Sequence, residues 1–189
     1  MINKILLKVF IALVAITFVG TSSIAAYVKP PVNKQARTAE LETIFDSKVL
    51  SKVKVNPNEY LVWVDLTKQR MSIFQSNEFV TSYQILSGKT TTPTPPGTYK
   101  VNARIFRPDD NYNLYSAKGE ITAKVSYWIP FIGNLYAFHN ASWRQFNEFG
   151  NTKVRPLRGS HGCINMSYAD VEDFYTNYAT KGLVVHITK

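Results

Sequence analysis

After Pro57 the chain alternates short apolar runs with polar turns. Leu61-Val62-Trp63-Val64, Met71-Ser72-Ile73-Phe74 and the run from Phe79 to Leu86 are rich in β-branched and aromatic residues. Thr67-Lys68-Gln69 and Ser76-Asn77-Glu78 separate them, so the pattern predicts three strands of a β-meander. Thr98 to Ile105, Ile121 to Trp128 and Leu135 to His139 read as further strands, and Leu183 to Thr188 as the last. One stretch carries the helical period: Val171, Phe174, Tyr175 and Tyr178 fall on one face. Ser167 stands at its N-cap with Asp170 three positions on, and Gly182 is placed to stop it. There is no internal repeat or low-complexity tract. The expected fold is mainly β with some helix (α+β), a sandwich or barrel with one packed C-terminal helix.

The first residues follow another rule. Lys4 and Lys8 precede an apolar stretch from Val9 to Val19, and small residues follow through Ala25 and Ala26. That is the layout of a secretory signal, with Ser23 and Ala25 fitting a small-x-small cleavage site. An uncleaved membrane anchor is the competing reading, but the apolar core falls short of the ~20 residues that span a bilayer. The expected organisation is a signal or anchor over 1–25, a connector over 26–57 and one folded domain over 58–189. Pro30-Pro31 disfavours regular structure in the connector, and Leu41, Ile44, Phe45 and Val49 predict a short amphipathic helix between Ala39 and Lys52.

Charge narrows the partners. The formal net charge is +9 and drops by two if Lys4 and Lys8 leave with a signal, which suits either acidic surfaces such as cell-wall polymers or a surface charge that serves only solubility. Nucleic acid is not an expected partner: the cations are scattered, no recognition motif accompanies them, and the chain looks exported. Membrane contact is expected only through an uncleaved N-terminal anchor.

The chain has one cysteine, Cys163, inside Ser160-His161-Gly162-Cys163-Ile164-Asn165-Met166. A lone Cys forms no internal disulfide, so in an exported chain it suggests intermolecular pairing or a thiol kept for its reactivity. His161, a flexible Gly162 and consecutive amides make this a loop suited to hold a thiolate. Ser160 lacks the Gly-x-Ser-x-Gly elbow of a serine nucleophile, and Cys163, His161 and His139 do not have a common zinc spacing. His186, in the last strand, reads as structural. Between the third and fourth strands lies Ser87-Gly88-Lys89, then Thr92-Pro93-Thr94-Pro95-Pro96-Gly97; taken alone, this is a rigid turn.

Taken in order, Leu61 to Asp65 with Leu66-Thr67-Lys68-Gln69-Arg70-Met71, Ser87-Gly88, the Pro-rich turn, His139 and Ser160-His161-Gly162-Cys163-Ile164-Asn165 resemble the bacterial L,D-transpeptidase catalytic domain, the YkuD-type family. The resemblance covers roughly residues 58 to 188, and Trp143 and Gly159 also stand where relatives carry Trp and Gly. It implies that Cys163 is the nucleophile and His139 the general base and acid. Gly162 and Cys163 would offer backbone N–H groups to an oxyanion, Asn140 would orient His139 through its carbonyl, and His161 and Ser160 would support the loop. The substrates implied are peptidoglycan stem peptides as donor and acceptor, with a protein amine as the alternative acceptor, and no cofactor or metal. A hydrolase on the same stems, acting as L,D-carboxypeptidase or endopeptidase, and a non-catalytic wall-binding module are the alternatives. The implied location is the periplasm or cell wall.

Two departures from the family stand out. About twenty residues separate His139 from Ser160, more than is usual, so the loop with Arg144, Phe146, Lys153, Arg155 and Arg158 reads as an enlarged wall of the cleft. Asn165 stands where many relatives have an arginine, which leaves Arg158 or Arg155 to meet a substrate carboxylate. Trp143 and Tyr136 complete the expected substrate contacts.

Overall fold

The computed structural model describes residues 53, 56 and 58–189 except 117. The expected signal or anchor, and the connector with its helix over 39–52, lie outside the described residues apart from 53 and 56. No helix among the described residues is long and apolar enough to cross a membrane.

Among the described residues, eleven strands form two sheets and a separate hairpin. The first sheet holds β1 (Tyr60–Asp65), β2 (Arg70–Gln75), β3 (Glu78–Gln84), β4 (Gly97–Lys100) and β11 (Val184–Thr188), in the order β3-β2-β1-β11-β4. β1 to β3 make the meander that the turns predict, and β11 inserts parallel to β1. The second sheet has the order β10-β9-β8-β5, from β5 (Ile105–Phe106), β8 (Tyr127–Ile132), β9 (Tyr136–Asn140) and β10 (Ile164–Met166). β6 (Tyr112–Tyr115) and β7 (Ile121–Val125) pair only with each other.

One core lies between the two sheets. Val62, Val64, Met71, Ile73, Val185 and Ile187 from the first meet Ile129, Phe131, Phe138, Ile164 and Met166 from the second. Helix α2 (Tyr168–Asn177) closes it with Val171 and Phe174. The Ser167 hydroxyl accepts from the Asp170 amide at 3.1 Å, so the N-cap is where the residue pattern put it. The helix ends five residues before Gly182, however. The Tyr178 and Ala179 amides both turn back to the Phe174 carbonyl, and Gly182, at φ +92°, serves the turn into β11 instead. A second helix, α1 (Arg155–Arg158), is a single turn.

Two predicted strands are each divided between sheets. From Thr98 to Ile105 the chain leaves β4, donates Asn102 N–H to the Pro130 carbonyl and enters β5. From Ile121 to Trp128 it breaks at Ser126, where the Ser126 and Tyr127 amides donate to Asn140 Oδ1 rather than to a strand. A continuous apolar run does not reveal such a change of partner.

Candidate active site

Strand β9 lies between β8 and β10, and its pleat decides which side chains meet. Phe138 pairs with Ile164 and both face the core, so their neighbours in sequence face the opposite way. His139 stands beside Asn165 on β10 and beside Trp128 on β8. Cys163, two residues before Asn165, falls on that same outer face. All four line a groove of about 1080 Å³ whose far wall is the β6–β7 hairpin with Tyr112, Leu114 and Tyr115. The imidazole is held between aromatic rings. Trp128 stacks on it at 5.8 Å and 23°, and Trp143 covers it at 6.1 Å.

His139 is 3 % exposed, and its Nδ1 lies 2.7 Å from the Asn140 carbonyl oxygen. A carbonyl only accepts, so Nδ1 carries the proton and Nε2 is left as the acceptor. Burial pushes its pKa down to about 4; the Asn140 carbonyl opposes this, and the Arg144 charge adds to it. Burial also pushes the half-buried Cys163 thiol up to about 11, with the Ala137 amide pulling weakly the other way. The thiol donates to the Leu135 carbonyl at 3.8 Å. Where the sequence leads one to expect a thiolate, desolvation favours a neutral thiol beside a neutral imidazole.

Asn140 anchors more than its carbonyl suggests. Its side chain accepts from the Ser126 and Tyr127 amides at 2.8 and 3.1 Å, and donates to Asp110 Oδ1 at 2.8 Å and Ser142 Oγ at 3.1 Å. All four hydrogen-bonding positions of the amide are filled.

Ser160 folds the cysteine loop. Its hydroxyl accepts from the Gly162 amide at 2.9 Å and donates to the Cys163 carbonyl. That removes Gly162 from the expected pair of oxyanion donors, since its N–H is already committed. Gly162 has φ +119°, and a Cβ there would lie 2.1 Å from the Tyr136 ring, so only glycine fits. Tyr136 thus packs on the loop and does not line the groove. His161 is exposed, and its Nε2 meets Lys89 Nζ at 3.3 Å.

The Pro-rich turn is more than a rigid connection. Thr94, fully buried within it, donates to the Gly162 carbonyl at 2.8 Å and accepts from the Gly88 amide at 2.9 Å. Gln69, placed by its polar neighbours in a surface turn, is instead fully buried; its amide group bonds to both the amide and the hydroxyl of Ser87. Ser87 in turn accepts the Ser160 amide at its carbonyl, 2.9 Å away. Gln69, Ser87 and Thr94 thereby fix the height of the Cys163 loop.

The long loop contributes a different arginine from those expected to meet a carboxylate. Arg158 is tied to Glu148 at 2.7 Å, and neither it nor Arg155 lines the groove. Arg144 does, as does Arg107. Trp143 is half exposed at the mouth. Asn165 is buried at the floor, and its Oδ1 has no hydrogen-bond partner among the described residues. Residue types alone did not single out Trp128 or Asp110, nor the roles of Thr94 and Gln69, whereas Arg144 was expected in the cleft wall. Trp128 had a signal, lying in a strand close to His139, but Asp110, Thr94 and Gln69 depend on contacts far along the chain.

A profile of the YkuD family, the L,D-transpeptidase catalytic domain, matches residues 59–187, and the chain belongs to that family. The fold resembles a Cys-to-Ser mutant of Enterococcus faecium L,D-transpeptidase with TM-score 0.59 and 27 % identity, over 69 % of this chain and 50 % of that one. The isolated catalytic domain of the E. faecium enzyme matches with TM-score 0.57 and 28 % identity, over 69 % of this chain and 98 % of that domain. An L,D-transpeptidase in complex with imipenem shares the fold at 17 % identity and TM-score 0.57, over 69 % of this chain and 59 % of that one. The chain thus spans about half the length of the larger E. faecium protein. A search of curated proteins found no match.

Proposed function

We propose that this protein is a cysteine-dependent L,D-transpeptidase acting on peptidoglycan stem peptides outside the cytoplasm. The observation that carries the reading is the placement of Cys163 and His139 on one face of adjacent parallel strands, at the floor of a groove lined by two arginines. Among the described residues no carboxylate lines that groove, which suits an anionic peptide.

The thiol of Cys163 adds to the carbonyl of the third, L-configured stem residue as His139 Nε2 takes its proton. The electron pair of the carbonyl moves to oxygen. Of the two amides expected to receive that charge, Cys163 N–H remains, and one such donor contributes about 3 kcal/mol in well-formed sites. Collapse breaks the bond to D-alanine, whose amine leaves with the proton returned by the imidazolium. A thioester remains on Cys163. The amine of a second stem then attacks it, gives its proton to His139 and forms a new amide while the thiol is restored. Removal of a well-placed base of this kind costs roughly 10²- to 10⁴-fold in rate.

Incubating the protein with tetrapeptide stems and weighing the products tests this. A cross-linked dimer plus free D-alanine supports transfer. A tripeptide with no dimer identifies water as the acceptor and makes the enzyme a hydrolase, and D-alanine release by Cys163→Ala contradicts both.

A further inference from the structure

The loop after β9 brings one of its cations, Arg144, to the groove. Glu148 is the only carboxylate in the stretch from residue 141 to 160, against Arg144, Lys153, Arg155 and Arg158. Its Oε1 lies 2.7 Å from Arg158 but 3.9 Å from Arg144. Glu148 is thus matched more closely to Arg158, and its ion pair with Arg144 is the longer of the two. Arg144 is held in place all the same, since its Nη1 donates to the Arg158 carbonyl at 2.6 Å. Its Nε has no hydrogen-bond partner among the described residues.

Arg144 is also close to the reacting centre. It lines the groove with His139 and Cys163, follows Trp143, which covers the imidazole, and its charge is felt at the His139 ring. In the reaction above, that ring must reach the nitrogen of the departing amino acid. One carbon separates this nitrogen from the carboxylate of a C-terminal residue, and backbone geometry puts the amine nitrogen about 2.5 Å from the carboxylate carbon. A group that binds the carboxylate must therefore stand beside the imidazole. Arg158 is committed to Glu148, Lys89 faces His161, and Arg107 follows β5, the edge strand of the sheet away from β10.

We propose that Arg144 binds the free carboxylate of the amino acid the enzyme releases, and so selects donor stems that end one residue beyond the bond to be broken. This rests on the transpeptidase reading and assigns its donor specificity. A stem one residue longer presents an amide where Arg144 requires a charge. An occupied site also screens the arginine from His139, so the base gains proton affinity when the correct donor is bound.

The test compares D-alanine release from a tetrapeptide acid with alaninamide release from the same stem bearing a C-terminal carboxamide. It is run on the wild type, Arg144→Gln and Arg144→Lys. The acid-to-amide ratio of kcat/KM should fall roughly ten- to a hundredfold in Arg144→Gln, the loss expected for a charged hydrogen bond. Arg144→Lys should keep part of it. Taking the ratio cancels the difference in leaving-group basicity, because each enzyme meets the same two substrates. A ratio unchanged by both substitutions overturns the proposal, as does an equal loss on both substrates, which would mean that Arg144 only braces the loop. If Arg144→Gln does not fold, Arg144→Lys against wild type still decides. A wild type that releases neither product contradicts the transpeptidase reading itself, and the assignment of Arg144 falls with it.

Discussion

Asp110 accepts a hydrogen bond from the Asn140 side chain at 2.8 Å, and the carbonyl of that same Asn140 stands 2.7 Å from His139 Nδ1. Asp110 also accepts from the Ser126 hydroxyl at 2.9 Å, at the cost of a left-handed backbone with φ 48°. Non-glycine residues rarely hold that conformation unless their surroundings require it. Asp110→Ala should therefore free Asn140 and loosen the imidazole, lowering kcat about tenfold or more with a smaller change in KM. Asp110→Asn should recover most of the loss, since its carbonyl oxygen still accepts from Asn140 and Ser126 while its amide can donate to Ser142. Steady-state kinetics on both variants, with the His139 Nδ1 proton followed by NMR, checks this. Equal changes in kcat and KM, or no recovery in Asp110→Asn, would speak against positioning.

The neutral pair at rest has a pH signature. His139, depressed to about 4, is already free to accept a proton throughout the neutral range. Cys163, raised to about 11, gains thiolate character only as alkali is added. The rate of Cys163 alkylation by iodoacetamide should therefore climb with pH through 8 and 9 and level off only near 11. A plateau reached below pH 7 would reveal a preformed thiolate–imidazolium pair.

Gly162 is the least replaceable backbone position of the loop. An added methyl would meet the Tyr136 ring at 2.1 Å, in a conformation that side chains avoid. Gly162→Ala should lose nearly all turnover while circular dichroism reports a folded domain with a lowered Tm. Combining it with Tyr136→Ala should recover stability better than activity, because the clash is removed but the backbone strain remains.

Thr94→Val removes both hydrogen bonds of a buried hydroxyl and leaves the Gly162 carbonyl and Gly88 amide unpaired. Thermal or urea unfolding should show a loss of about 1–3 kcal/mol. Activity should fall further than stability alone explains, since the Cys163 loop hangs from that carbonyl.

The residue pattern made the meander, the capped helix and the cysteine loop legible because each is local. Ser167 caps its helix within three residues, and Ser160 to Asn165 is one continuous run. Legibility failed where a role depends on distant contacts. Thr94 and Gln69 look like turn residues until the fold brings Gly162 and Ser87 to them. Arg158 and Arg155 were the expected carboxylate readers because Asn165 stands where many relatives have an arginine, whereas pairing with Glu148 engages Arg158 and the groove meets Arg144. The short strand β10 was hidden inside the motif, although it is the element that sets Cys163 on the face of His139.

The central claim is that Cys163 carries the acyl group. Incubation with a carbapenem, followed by intact-mass and peptide mapping, tests it most directly. The account predicts one added carbapenem mass, confined to the peptide containing Cys163 and absent from Cys163→Ala. An adduct on any other residue, or one that survives in Cys163→Ala, would contradict it.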